Sequence, residues 1–284
     1  MIEGREDSRK LVSSLACSCC EGTFLAFARG QLLGDVPVQY LRCDRCGFVR
    51  TENPTWLERA YQRPIATLDV GLLSRCLWLA DATEAIALTL PRDSRILDWA
   101  GGYGTLTRLL RDEGVDAYHH DPYTENLFAQ LWEGNPNEEW DLITMFEVLE
   151  HLTNPLEVLE PLSTRSSILL FSTQLLPDPT PQPGAWWYYA PETGQHVSFY
   201  SARSLNILAE RLGMRLLSNG TNFHCLIKPN ALGKTGSMIV SHPRSRRFIR
   251  PIMRRFRSSP SFLQSDAEAV RLTLTASNES TSEP

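Results

Sequence analysis

The 284-residue chain has no long apolar segment. No apolar run approaches the roughly 18 residues that a helix needs to cross a bilayer. The first ten residues, MIEGREDSRK, are mostly charged and contain no apolar stretch of the kind found in signal peptides. From these two absences we expect neither a membrane-spanning nor an exported protein, and we predict a cytoplasmic one.

The chain also lacks a strong net charge. Its formal charge is −5, which gives no general reason to expect a nucleic acid as partner. One segment is an exception, because seven arginines and no acidic residue lie between Arg244 and Arg257. These arginines are mixed with apolar residues, as in a helix that lies on a membrane surface, namely Phe248, Ile249, Ile252, Met253 and Phe256. The alternative is a solvated basic face, and we expect Pro251 to break any long helix here.

Cysteines are concentrated near the start of the chain. Cys17-x-x-Cys20 and Cys43-x-x-Cys46 form two pairs, and four thiolates in this arrangement suit tetrahedral structural zinc. Cys19 is an alternative ligand to Cys20. The other interpretation is a set of reduced cysteines without metal. We therefore predict a small zinc-ribbon-like module, closed to substrate, with a role in folding or docking.

The hydrophobic pattern divides the chain into four parts: a cysteine-rich module (1–53), a helical linker or lid (54–90), an α/β domain (91–230) and a basic, partly disordered tail (231–284). Within the α/β domain, strand and helix patterns alternate, which predicts a doubly wound, mostly parallel sheet. The predicted strands cover 94–100, 116–121, 140–148 and 166–173, the predicted helices 105–114, 126–134, 155–162 and 201–213, and a hairpin closes the domain.

A glycine-rich turn follows the first predicted strand of this domain. It runs from Asp98 through Ala100, Gly101 and Gly102 to Gly104, and a predicted helix comes next. Ligands of open α/β sheets bind at the carboxyl ends of the strands, and glycines there let a ligand approach the backbone. Neither the third glycine of a dinucleotide-binding turn nor the Gly-Lys-Ser/Thr of a phosphate-binding loop is present.

Asp98-x-Ala100-x-Gly102-x-Gly104 resembles the D-x-G-x-G-x-G motif of class I S-adenosylmethionine (SAM)-dependent methyltransferases, which have a Rossmann-like fold. Within them the chain resembles the methyltransferase-23-like group, which includes small-molecule and sugar methyltransferases. The resemblance implies that Asp98, Ala100, Gly101, Gly102 and Gly104 bind the cofactor.

The second and third motifs of the family have counterparts as well. Asp121 matches the acidic residue that holds the ribose hydroxyls, although it could also cap a helix, and 140–155 matches the fourth-strand motif, which assigns Phe146 and Glu147 to cofactor contact. Only 19 residues separate Asp121 from Asp141, so the third strand must be short or missing, and we place the adenine contacts at 134–138.

Glu147, Glu150 and His151 form an E-x-x-E-H sequence. At helical spacing the three side chains share a face, and Glu150 and His151 are candidate catalytic residues. A similar sequence in related quinone O-methyltransferases is associated with a divalent metal, which this resemblance implies at the active site. The alternative is that Glu147 contacts the cofactor or the backbone while His151 packs locally.

His196 is the candidate general base. It ends a segment rich in tryptophan and tyrosine (186–201), just before a predicted helix. This resembles the segment of related sugar C-methyltransferases in which a histidine acts as the base, and imidazole accepts protons near neutral pH. The alternative is a capping or packing histidine. The four aromatic residues at 186–189 could form a stacking wall for a ring-shaped substrate or ordinary core.

These features together predict a SAM-dependent methyltransferase that acts on a small molecule, a sugar or a lipid-linked glycan. One alternative is a methyltransferase for RNA or protein that is docked by the zinc module. The sequence lacks the N-P-P-[YF] tetrapeptide that is typical of many such enzymes and has FEVLEH instead. Another alternative is an interaction module that binds SAM without catalysis.

Overall fold

The computed structural model describes residues 11–62 and 69–280, and side chains within 16–62 and 69–276. The expectation about an export signal depends on residues 1–10 and lies outside this range. The strands are β1 (Leu11–Ala16), β2 (Thr23–Leu32), β3 (Val36–Cys43), β4 (Val49–Thr51), β5 (Arg95–Trp99), β6 (Asp116–His120), β7 (Leu142–Phe146), β8 (Ile168–Ser172), β9 (Ser198–Phe199), β10 (Arg215–Ser218) and β11 (Phe223–Ile227).

The helices follow the same chain order. They are α1 (Leu57–Ala60), α2 (Leu72–Ala87), α3 (Thr105–Asp112), α4 (Pro155–Arg165), α5 (Ala202–Arg211), α6 (Lys234–Ser241), α7 (Arg246–Arg257) and α8 (Leu263–Ser280). Short 3₁₀ helices cover Leu149–His151, Trp187–Tyr189 and Pro243–Ser245.

The larger sheet has six strands in the order β10-β11-β8-β7-β5-β6. The four strands β6, β5, β7 and β8 are parallel, and β11 and β10 extend the sheet with antiparallel pairing. Parallel neighbours need a crossover, and α3 and α4 supply it between β5 and β6 and between β7 and β8. The prediction of a mostly parallel, Rossmann-like α/β fold is confirmed.

Helices cover both faces of this sheet. Successive strand residues point to opposite sides, so neighbouring apolar residues of one strand pack against different helices. Ile96 belongs to a buried cluster with α2, α3 and α6, whereas its neighbour Leu97 belongs to a cluster with α4 and α5. The second cluster also contains residues of the cysteine-rich segment, such as Phe24 and Phe48. The N-terminal part of the chain therefore packs onto the same face as α4 and α5.

The smaller sheet is antiparallel and has the order β1-β2-β3-β4-β9. Its first four strands come from the cysteine-rich segment, but β9 comes from residues 198–199. Val49 pairs with Phe199 and Arg50 with Ser198. This pairing was not predicted, and it places the N-terminal strands directly beside the segment that carries His196.

The helix predicted at 126–134 is wrong. Instead, the segment runs beside β6, where the backbone N–H of His119 donates to Trp132 O at 2.7 Å and that of Gly134 donates to His119 O at 2.7 Å. An isolated parallel bridge joins His119 to Glu133. This contact takes the position of the short or missing third strand. Asn126 stabilises the irregular turn, since its amide group bonds both the N–H and the C=O of Ala129.

The tail forms helices where partial disorder was expected. The helix α7 is continuous through Pro251, and α8 extends to Ser280. Buried ion pairs attach both helices to the domain. Asp266 of α8 accepts two hydrogen bonds from the Arg111 guanidinium, at 2.7 and 2.8 Å. Residues 281–284 lie outside the described range.

Within the described residues, none of the helices combines the length and the apolar character that a bilayer crossing requires.

Candidate active site

The glycine-rich turn lies at the carboxyl end of β5 and leads directly into α3. Ala100, Gly102 and Gly104 have φ values of 57°, 59° and 81°, in the left-handed region that glycine adopts most easily. The N–H of Gly104 donates to Gly101 O at 3.1 Å and closes the turn. Alanine at position 100 is therefore held in a conformation that the family motif assigns to glycine.

Asp98 is buried beneath this turn. Its carboxyl group accepts hydrogen bonds from the hydroxyls of Thr144, at 2.8 Å, and Thr107, at 3.4 Å. Burial raises the pKa of Asp98 to about 6, although the two hydroxyls oppose the shift. A Cβ on Gly101 would collide with the Asp98 carboxyl group, so the residue between the motif positions also has to be glycine.

Asp121 meets the glycine-rich turn from the end of β6. The N–H of Gly102 donates to Asp121 Oδ2 at 2.9 Å, and the N–H groups of Tyr123 and Thr124 donate to Oδ1 at 2.8 and 2.9 Å. Three backbone donors fix the orientation of the carboxylate without using all of its lone pairs. The two acidic positions predicted to flank the cofactor thus belong to one hydrogen-bonded unit.

His119 also supports the turn, and sequence reasoning missed it. The side chain is buried, and Nε2 donates to Gly102 O at 2.8 Å while Nδ1 lies 3.3 Å from Glu133 Oε2. His119 therefore fixes the carbonyl of the same residue whose N–H holds Asp121. The alternation of side chains along β6 places His119 on the same buried side as Ala117. This alternation is the feature of the sequence from which the burial of His119 could have been predicted.

The end of β7 brings Phe146 and Glu147 to the same edge. Phe146 is half-buried and stacks on Phe223 at 6.2 Å between ring centroids. Glu147 has φ +55°, and its carboxylate accepts a hydrogen bond from Ser172 Oγ at 2.6 Å. Arg75 of α2 lies 3.6 Å from the other carboxylate oxygen. Glu147 is thus held at the carboxyl edge of the sheet by β8 and α2.

Glu150, His151 and His196 form a compact cluster. One potential ligand atom of each lies within 4.8 Å of the others. Glu150 is buried, accepts a hydrogen bond from Tyr188 Oη at 2.5 Å, and has no partner for Oε2. Burial and the nearby Glu147 raise the pKa of Glu150 to about 8. Glu147 is not part of the cluster, because the chain turns at its positive φ before the 3₁₀ helix begins.

Both imidazoles have a backbone carbonyl beside Nδ1. His196 Nδ1 is 2.7 Å from Tyr188 O, and His151 Nδ1 is 3.1 Å from Gln195 O. Carbonyl groups only accept, so each Nδ1 carries the proton and each Nε2 is left as an acceptor. Burial lowers the pKa of His196 to about 3 and that of His151 to about 4, which keeps both rings neutral near pH 7.

Tyr61 is a second residue that sequence reasoning missed. Its hydroxyl group lies 2.8 Å from His151 Nδ1, and its ring is 6.0 Å from the imidazole ring. Tyr61 follows α1, so the segment after the cysteine-rich strands reaches the histidine cluster. Trp56 joins the same N-terminal segment to the loop that precedes His196, because its indole N–H donates to Gly194 O at 2.9 Å.

The aromatic run at 186–189 is divided between core and surface. Tyr188 and Tyr189 are buried, Trp186 is half-buried, and Trp187 is 71% exposed. Tyr188 packs edge-on against His196 at 4.6 Å between ring centroids. Trp187, next to it, is therefore the member of the predicted wall with an accessible ring.

The four cysteines predicted as metal ligands converge. Their sulfur atoms lie within 4.8 Å of one another, with 3.7 Å between Cys17 and Cys46 and 3.4 Å between Cys20 and Cys43. Four thiolates about 2.3 Å from a zinc ion would be about 3.8 Å apart in a tetrahedron. All four are buried and free of disulfides. This set can hold a zinc ion, and it contains Cys20 rather than the alternative Cys19.

A family model described as a methyltransferase domain, methyltransferase 23, matches residues 75–219, which is more than half of the chain. The chain belongs to this methyltransferase family. The matched range contains the glycine-rich turn, Asp121, the end of β7 and the histidine cluster. It excludes the cysteine-rich strands and the helices of the tail. No curated protein matches the chain.

Three solved structures are similar to this chain. CalO1, a methyltransferase in calicheamicin biosynthesis in its SAH (S-adenosylhomocysteine)-bound form, has 14% identity and a TM-score of 0.40, with 61% of each chain covered. An O-methyltransferase family protein from Burkholderia thailandensis has 13% identity and a TM-score of 0.43, with 62% and 64% covered. Human N-acetylserotonin methyltransferase in complex with SAM has 13% identity and a TM-score of 0.38, with 62% and 66% covered. The chain thus spans less than two thirds of the length of these three proteins.

Proposed function

We propose that this methyltransferase transfers a methyl group from SAM to a small molecule, namely a sugar or a glycan intermediate. One observation carries the proposal: Gly102 and Asp121 are hydrogen-bonded to each other at the carboxyl edge of the sheet, above the buried Asp98. In open α/β sheets this edge is where ligands bind.

The residues of this edge fit an adenosyl group. A Cβ on Gly102 would meet no atom within 4 Å, so the backbone there faces open space. Asp121 retains lone pairs that can accept hydrogen bonds from two ribose hydroxyls. SAM supplies an electrophilic methyl group on its sulfonium centre. The assignments of Asp98, Ala100, Gly101, Gly104, Phe146 and Glu147 to cofactor contact belong to the same proposal.

His196 is the proposed general base. Nδ1 is held by Tyr188 O, which leaves Nε2 free to accept the proton of a substrate hydroxyl. Because burial lowers the pKa of His196, the proton has to move together with methyl transfer, when the hydroxyl becomes strongly acidic, and not before it. Trp187 precedes Tyr188, whose ring packs against His196, and the exposed ring of Trp187 offers a flat apolar surface for stacking against a sugar ring. Glu150 and His151 lie beside His196 in the same cluster and are the other proposed catalytic residues.

A second role for the same cluster is favoured by the unpartnered Oε2 of Glu150. Glu150, His151 and His196 offer one carboxyl group, which a bound cation would ionise, and two neutral imidazoles, a donor set that suits a divalent metal. The carbonyl groups beside each Nδ1 are the partners that metal-binding histidines usually have. A bound metal would lower the pKa of a substrate hydroxyl.

The primary experiment measures cofactor binding and transfer separately. Calorimetry should show binding of SAH to the wild type and at least ten-fold weaker binding for Asp121→Ala, whereas Asp93→Ala, an exposed position, should bind normally. Transfer of a labelled methyl group into a metabolite extract should be lost in His196→Ala and retained in the exposed control His242→Ala. Normal binding by Asp121→Ala would remove the cofactor assignment.

Metal analysis distinguishes the two roles of the cluster. A divalent metal that is lost in His151→Ala but retained in Cys43→Ser favours the metal role, and a His151→Ala protein that retains every metal favours the base.

A SAM-binding module without catalysis predicts SAH binding with no labelled product from any pool. An RNA or protein methyltransferase predicts label in a macromolecular fraction.

We also propose a structural zinc ion at Cys17, Cys20, Cys43 and Cys46. Elemental analysis should find about one zinc per chain, and Cys43→Ser should lose it. Cys76→Ser, which changes an isolated half-buried cysteine outside the group, is the matched control. A wild-type protein that is folded and free of zinc would contradict this part of the proposal.

The last part of the proposal is that residues 244–257 contact a membrane surface.

A further inference from the structure

The helix α7 has one face that is used internally. Arg250 and Arg254 each donate to a carboxylate oxygen of Glu84 at 2.5 Å, and Glu84 is only 1% exposed. Arg254 also pairs with Glu113, and Arg246 lies over the ring of Trp78 at 5.3 Å. These arginines follow each other at helical spacing and attach α7 alongside α2.

The opposite face of α7 is apolar and uncovered. Phe248, Ile252 and Phe256 are 76%, 62% and 68% exposed. They are spaced four residues apart, so they form one stripe along the helix. Large exposed apolar residues in a continuous stripe are uncommon on the surface of soluble proteins and indicate a binding surface.

Arginines flank this stripe. Arg244, Arg247 and Arg255 are exposed, and within the described residues their side chains make no ion pair or hydrogen bond. No acidic residue lies between 244 and 257. The stripe of Phe248, Ile252 and Phe256, together with its flanking arginines, is called the α7 face below.

We propose that the α7 face binds the surface of an anionic lipid membrane. The apolar side chains would enter the interface while the guanidinium groups meet the lipid phosphates. This inference deepens the proposed membrane contact of 244–257 and rests on it: it names the residues that make the contact and excludes those that are occupied by Glu84 and Trp78.

The charge of the α7 face argues against a second copy of the chain as its occupant. A two-fold dimer through this face would bring the same arginines together from both copies. Like charges at a shared interface oppose association, whereas an anionic membrane complements them. Each basic residue near an anionic surface favours binding by about five-fold, so three arginines favour it by about a hundred-fold.

Co-sedimentation of the full chain with vesicles tests the proposal. Vesicles of phosphatidylcholine alone are compared with vesicles that also contain phosphatidylserine. The wild type should bind the anionic vesicles about a hundred-fold more strongly, and added salt should weaken this binding. The double variant Arg247→Gln/Arg255→Gln should lose about thirty-fold in binding to anionic vesicles. Arg203→Gln, an exposed arginine of α5, should bind as the wild type does.

The apolar stripe is tested separately by Phe248→Ser/Phe256→Ser, which should also lose binding to anionic vesicles. Calorimetry with SAH is run on every variant, because the α7 face lies outside the proposed cofactor site. Unchanged SAH binding shows that the variants are folded, and the membrane proposal can then fail without affecting the proposed enzyme.

Equal binding to neutral and anionic vesicles, or no binding to either, would overturn the inference. Light scattering that shows a dimer in the wild type and a monomer in the Phe248→Ser/Phe256→Ser variant would also overturn it, in favour of a second copy. Preferential binding of a polynucleotide over anionic vesicles would do the same in favour of nucleic acid.

Discussion

Asp98 should make the stability of the protein depend on pH. The side chain is buried, and burial raises its pKa from 3.8 to about 6. Folding therefore favours the protonated carboxyl group. The stabilising contribution is fully present below pH 3.8 and is lost as the pH rises through about 6, because the unfolded chain then gains more from ionisation than the folded one.

The size of the effect follows from these two pKa values. At pH 5 the group lowers the free energy of unfolding by about 2 kcal/mol, and at pH 8 by about 3 kcal/mol, relative to its contribution at low pH. The difference between the two conditions is about 1 kcal/mol. Asn in place of Asp98 has no charge to bury and keeps an acceptor for the Thr144 hydroxyl.

Urea unfolding of the wild type and of Asp98→Asn at pH 5 and pH 8 measures this difference. All other titrating groups are common to both proteins, so their contributions cancel. The stability of Asp98→Asn relative to the wild type should rise by about 1 kcal/mol between pH 5 and pH 8. A relative stability that is flat or falls over this range would refute the reasoning.

Three further predictions concern the cofactor edge, the tail and the substrate side. Gly104→Ala should weaken SAH binding at least ten-fold in calorimetry, because a Cβ there would collide with the side-chain oxygen of Asn126. Asp266→Ala should lower the free energy of unfolding in urea by about 3–5 kcal/mol, since it leaves the buried Arg111 without its bidentate partner. Trp187→Ala should raise KM more than it lowers kcat and leave the thermal midpoint unchanged, because the ring is mostly exposed.

Each of these changes has a matched control. Gly213→Ala lies outside the proposed cofactor site and has the same left-handed backbone cost as Gly104→Ala, about 1–2 kcal/mol, but no collision, so the pair isolates the steric effect. Glu268→Ala removes an exposed acidic residue from the same helix as Asp266 and should leave stability unchanged. Equal losses within either pair would contradict the corresponding argument.

The placement of the glycine-rich turn and of Asp121 could be predicted from the sequence because the pattern that sets it is local. A buried strand, a glycine-rich turn and a helix follow each other within twenty residues, and this order fixes where the turn lies. Asp121 follows the next strand, and neighbouring parallel strands end at the same edge. The hydrogen bond between Gly102 and Asp121 is the direct consequence of that topology.

The error at 126–134 has a physical cause. Leu127, Phe128 and Leu131 have helical spacing, and a helix would place them on one face. In the structure they are exposed, and the backbone N–H groups of Leu127 and Phe128 donate to Tyr103 O. Pairing with β6 and with the glycine-rich turn satisfies the backbone in this segment. These long-range partners leave no periodic signal in the sequence.

The arginines of the tail show another limit of pattern reading. Their number and the absence of acidic residues could be counted, but the sequence does not reveal which of them are paired. Glu84, which neutralises Arg250 and Arg254, lies 166 and 170 residues earlier in the chain. The same ion pairs secure α7 on both sides of Pro251, which is why the helix continues where a break was expected.

The cysteine-rich segment cannot be treated as an appendage of the methyltransferase domain, although the sequence suggests a boundary near residue 53. Ser201 Oγ donates to Cys46 O at 2.6 Å, and β4 pairs with β9 two residues after His196. Because Tyr61 reaches His151 from the same N-terminal part of the chain, both histidines of the cluster contact elements that the cysteine-rich strands position. The hairpin between β3 and β4 is therefore joined through β9 to the segment that carries the proposed base. A metal held by the four thiols would stabilise the strands that make this pairing.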